Sequence, residues 1–112
     1  MLPEEIVINH LNELLEAPCF MEHPEASIPS MVIVERVGGS ESEHIRDCRF
    51  AIQSYGNTMY KACQLNDMVK SAMDKITESD HVSDCRLVSD YNFTDTSTKS
   101  YRYQAIYDLV LF

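Results

Sequence analysis

The chain has 112 residues, 45% of them apolar and 24% charged, and sets 18 acidic side chains against 9 basic ones for a formal charge of -9. Its length suits one domain over residues 1–112, burying roughly 65% of the surface that the unfolded chain exposes, and its composition excludes a disordered polymer. The negative charge and the lack of a Lys/Arg cluster exclude a specific grip on nucleic acid phosphates.

In chain order, the first predicted element is a helix from Pro3 to about Ala17. Pro3 suits the first helical position, Glu4 and Glu5 favour the positive end of the helix dipole, and Val7, Leu11, Leu14 and Leu15 form one stripe. Pro18 ends it. "CFMEH" reads as a short strand, Pro24 to Pro29 as a turn region, and the β-branched run Ser30 to Val37 as a buried strand. "GGSESEHIR", Gly38 to Arg46, is polar and glycine-led and reads as an exposed, mobile loop. In "DCRFAIQSYG", Cys48, Phe50 and Ile52 alternate with Arg49, Ala51 and Gln53, the mark of a third strand. The period then changes: from about Thr58 to Ile76, Ala62, Leu65, Val69, Ala72, Met73 and Ile76 recur at helical spacing.

Two strands joined by the polar "TDTSTK" follow. The first is expected to share Cys85, Leu87, Tyr91 and Phe93 on one face. In the second, "SYRYQAIYDLVLF", Tyr101, Tyr103, Ala105, Tyr107, Leu109 and Leu111 share a core face, while the other starts polar and finishes with Val110 and Phe112. That apolar finish predicts cover on both sides, from a helix of the chain or from a neighbouring subunit, and weak self-association where cover is incomplete. The α-β-β-β-α-β-β order predicts an α+β fold, a mostly antiparallel sheet with two helices packed on one face.

Side chains that carry chemistry do not converge in the sequence. Cys19-x-x-x-His23 has the spacing of half a zinc site, with no second half, and the four cysteines lie 15 or more residues apart without a C-x-x-C. They are expected to be reduced, with no metal, no cofactor and no catalytic group, so that the chain is not an enzyme. The acidic start "MLPEEIVINH" is unlike a secretory signal, and no apolar run reaches the roughly 18 residues of a membrane span, so synthesis in a cytoplasm without membrane attachment is expected. "VGG" lacks the glycine spacing of a phosphate cradle, and tyrosine stacking platforms come with basic grooves rather than acidic chains.

The order of segments resembles the tail terminator, or tail completion, proteins of long-tailed phages and of prophages, relatives of the lambda tail terminator. The resemblance rests on the N-terminal helix, "MVIVERVGG", "CRFAIQSYG" leading into "TMYKACQLNDMVKSAM", and the closing pair "VSDYNFTDTSTKSYRYQAIYDLVL". It implies a virion protein at the head-proximal end of the tail. Such a protein forms a hexameric homo-oligomeric ring on the major tail tube protein, stops tube polymerisation and meets the head-neck connector, while DNA passes through the lumen without specific binding. A head-closure or minor tail protein of the same neck is the alternative, and a small cytoplasmic enzyme a third. The partner interface is expected at Glu41, Glu43, His44 and Arg46 of the polar segment and at Val110 and Phe112.

Overall fold

In the computed structural model, which describes residues 1–112, Pro3 opens helix α1 (Pro3–Leu14). The Glu5 carboxylate accepts from the Leu2 N–H at 3.0 Å, satisfying a donor that the first turn leaves free. Ile6, Val7 and Leu11 face inward and are buried. The helix ends before the expected Ala17 because Leu15 turns extended, and the Asn12 side chain then accepts the Cys19 N–H at 3.1 Å and draws the chain back on itself.

Five strands follow: β1 (Cys19–Phe20), β2 (Met31–Ser42), β3 (Ile45–Gly56), β4 (Val82–Asn92) and β5 (Tyr101–Leu111). They form one sheet in the order β1-β2-β3-β5-β4, antiparallel throughout except that β1 runs parallel to β2. Helix α2 (Met59–Met73) connects β3 to β4 through a single 3-10 turn at Ile76–Glu78. Thr58 caps it, its hydroxyl oxygen accepting the Lys61 N–H at 3.1 Å. The fold is therefore α+β in the expected order, with both helices on one sheet face.

The alternation of β3 decides what lies where. Phe50 and Ile52, with Val32 and Val34 on β2 and Ala105, Tyr107, Leu109 and Leu111 on β5, meet Ile6, Val7, Leu11, Leu65, Val69 and Met73 of the helices in one core of 19 buried residues. The opposite, open face carries a smaller cluster of Met31, Ile33 and Tyr55, with Phe20 and Ile28 against it.

Two expectations are corrected. Gly38 to Arg46 is not a loop but the end of a β-hairpin, paired from Gly38↔Arg49 to Ser42↔Ile45 around a two-residue turn at Glu43 (φ 48°) and His44 (φ 70°). Positive φ at both turn positions gives a twist that matches the strands, so backbone pairing orders a segment whose side chains bury nothing. Gly39 is required there: at φ 151° a Cβ would stand 2.2 Å from the Asp47 carbonyl oxygen. Second, Cys85, Leu87, Tyr91 and Phe93 do not share a face. A bulge between Leu87 and Ser89 shifts the register, leaving Cys85 and Leu87 with Leu109 and Tyr107 on the helix side and Tyr91 beside Gln104 on the open side. The far face of β5 starts polar as expected, though its Gln104 is buried at 7% exposure.

Helix α2 packs so closely on the end of β3 that a Cβ at Gly56 would lie 2.5 Å from the Ala62 nitrogen. Gly56→Ala is expected to lower stability by about 1–3 kcal/mol, read as a lower denaturant midpoint at unchanged slope.

Candidate interaction surfaces

The expected interface residues gather at one end of the sheet. Glu41 lies opposite Arg46 in the hairpin, Arg46 opposite Leu111, and Asp47 opposite Val110, so the root of the hairpin and the end of β5 are neighbours. Every residue from Glu35 to Ile45 is exposed, although Arg36 still reaches Glu4 of α1 at 3.5 Å, and the tip of the hairpin, Ser42 to Ile45, extends as a short arm past the last β3–β5 pair, Arg46↔Leu111, on a molecule 44 Å long and 25 Å across. Glu43 and His44 form its tip. Val110 is half-buried, whereas Phe112, its N–H bonded to the His81 carbonyl at 3.1 Å, is 67% exposed. The Phe112 side chain is thus mostly in solvent.

On the open face, register pairs bring polar side chains into two rows. Asp108 sits between Arg49 and Arg86, with Arg49 Nε at 2.8 Å and Nη2 at 2.9 Å, and Arg86 Nη2 at 3.1 Å. The second row is a directed chain. The Tyr55 hydroxyl donates to Gln53 Oε1 at 3.1 Å, Gln53 Nε2 donates to Gln104 Oε1 at 2.8 Å, and Gln104 Nε2 donates to the Tyr91 hydroxyl. Arg102 starts it, donating to the Tyr55 oxygen at 3.0 Å while its guanidinium lies 4.6 Å from the Phe93 ring centroid. Sequence reasoning missed this row, since glutamines at alternate strand positions look solvated until partners are known.

The half-site spacing of Cys19 and His23 leads to no metal centre, because Cys19 is buried in the helix-side core whereas His23 lies on the open face, 3.1 Å from the Tyr55 hydroxyl. Burial pushes the Cys19 thiol up to about 11, and burial, aided by Asp84 and Asp74, pushes Cys85 up to about 12. Neither holds an appreciable thiolate near neutral pH. On the helix side, Asp90 accepts from Asn66 Nδ2 at 2.6 Å and Lys70 Nζ at 2.5 Å, tying β4 to α2.

A surface groove of about 1050 Å³ runs between the end of α1 and the outer face of α2, and it too carries no sequence mark. Its apolar floor includes Leu14 and Leu65, which helical spacing assigns to the core, together with Ile28 and Met68. No protein-family model matches the chain, and no curated protein matches it by sequence.

Two predictions follow from the side chains. The Arg49 bond holds the Asp108 carboxyl below its usual range, against the effect of partial burial and with help from Arg86. A carboxylate lowered on folding stabilises above its unfolded pKa, near 3.9, and that contribution fades as pH falls through the lower folded value. Asp108→Asn is expected to be less stable than the parent at pH 7 and equal to it well below pH ~4, the neutral-pH gap being small because the side chain is 30% exposed. Alkylation at pH 8 followed by peptide mass analysis is expected to spare Cys19 and Cys85 in native protein and to label both in denaturant.

Proposed function

We propose that the chain is a structural assembly protein of a long-tailed phage or prophage, a tail terminator acting as a hexameric ring on the end of the tail tube. In this reading it stops tube polymerisation and offers the joining surface for the head-neck connector. The observation that carries the reading is the end of the sheet where an ordered, exposed hairpin tip extends past the end of β5 beside the largely exposed Phe112. An arm with both faces in solvent and an apolar group at its root suit a protein completed by neighbours. The segment order behind the resemblance is that of the observed fold, and a charge of -9 suits a ring that lets DNA through without holding it.

On this reading Glu41 and Glu43 meet basic groups of the tube protein or of an adjacent subunit, Phe112 is covered at the ring contact, and no residue has a catalytic role. The site of action is the virion, at the head-proximal end of the tail. Electron microscopy of particles made without the protein is expected to show tubes of unregulated length lacking heads, and Phe112→Ser is expected to weaken length control. Tubes of normal length that merely fail to join heads would assign the chain to the neck instead.

A further inference from the structure

The groove between α1 and α2 holds two unsatisfied features at once. Leu14 and Met68 are 48% and 49% exposed at its floor, and Lys61 and Lys75 at its rim form no ion pair, whereas the rim's exposed carboxylate, Asp67, is engaged by Lys70, which Asp90 also holds. An apolar trough edged by free ammonium groups fits a segment with apolar side chains and carboxylates. The arm has that composition: Val37 and Ile45 are exposed on it, and Glu41 and Glu43 have no ion-pair partner. Glu16, the other free charge of the rim, has the sign that suits Arg46.

The chain's own arm is too far away to fill the groove. Ile28 and Ser30 line the groove just before β2 begins at Met31, whereas the arm turns at Glu43, past the far end of that 12-residue strand. A strand of that length spans about 40 Å. We infer that the α1–α2 groove receives the β2–β3 arm of a second copy of this chain. Because donor and acceptor surfaces are different surfaces of the chain, the contact is heterologous and propagates head to tail, closing into a ring when the rotation allows. The inference rests on the ring reading for its biological setting and names the surfaces that make the ring.

Sedimentation velocity on the full chain tests it with two variants, Lys61→Glu/Lys75→Glu in the groove and Glu41→Lys/Glu43→Lys in the arm. All four positions are exposed, so the fold is expected to hold, with circular dichroism as the check. Wild-type protein is expected to self-associate with rising concentration and to dissociate with added salt. Each variant alone is expected to associate about tenfold more weakly or worse. An equimolar mixture of the two is expected to regain assembly, since each arm then meets a groove of opposite charge. Met68→Asp, a half-exposed groove position, is expected to weaken association without any change on the arm. Wild-type protein that stays monomeric at its highest soluble concentration, association indifferent to both reversals, or a mixture no better than its parts would overturn the arm–groove contact. The ring reading itself falls only if tail length is normal without the protein.

Discussion

β3 is paired along its length with β2 on one side and β5 on the other, and that double ladder is the constraint from which the rest of the molecule follows. Side chains alternate along a strand, so a slip of one residue would carry Phe50 and Ile52 from the helix core to the open face and bring Gln53 under the helices. The cost of such a slip, several fully buried apolar side chains exposed and polar ones buried without partners, makes the register effectively unique. The close approach at Gly56 then seats α2, the anchor from Asp90 to Asn66 and Lys70 fixes its rotation against β4, and the His10 ring, 2.6 Å from the Ala72 carbonyl oxygen, ties α1 to α2.

The open face shows how a sheet with helices on one side only keeps its other side from being a liability. Gln53 and Gln104, both 7% exposed, are tolerable because each amide gives its N–H to the next acceptor and takes a donor in return. The direction of the chain is set where Arg102, a cation that can only donate, points at the Tyr55 oxygen. Donors therefore run outward towards β4, and each bond polarises the next. The Tyr91 hydroxyl ends the row with its own hydrogen free, at an edge strand whose outer side has no partner strand in this chain. The row of Arg49, Asp108 and Arg86 crosses the same three strands further along, so opposed charges rather than apolar contacts tie β3, β5 and β4 there.

What was legible in the residues was periodicity. The helical stripe from Ala62 to Met73 and the alternation from Cys48 to Gln53 both name their elements and their buried faces correctly. Features without a period were not legible. The bulge between Leu87 and Ser89 reverses the facing of Tyr91 yet adds nothing to the composition of β4. The turn at Glu43 and His44 lacks the Asn-Gly or Asp-Gly pair that advertises such hairpins, so ordered strands read as a loop. Of the surfaces proposed for contact, the arm and the end of β5 were visible as polar and apolar anomalies. The groove was not, because it exists only where α1 stops short and leaves Leu14 and Met68 half-covered.

That the glycine-led segment is a hairpin changes the energetics of any contact it makes. A mobile loop loses backbone entropy when it docks, at about 1–2 kcal/mol for each residue ordered, and a contact through two carboxylates would struggle to offset that. Here the backbone is already ordered by pairing from Gly38↔Arg49 to Ser42↔Ile45, and only side-chain rotamers remain to be fixed. Glu41 and Glu43 are thus presented at a set spacing before any partner arrives, and the match of charges can act on both the rate and the selectivity of encounter rather than being consumed in ordering the chain. A two-stranded ribbon is marginal in water by itself, and this hairpin holds because β5 flanks β3 from Arg46 onward, leaving only the tip from Ser42 to Ile45 two-stranded. The strand that organises the core is therefore also the one that stiffens the arm, so a change at the core end of β3 reaches the arm through the backbone of a single element.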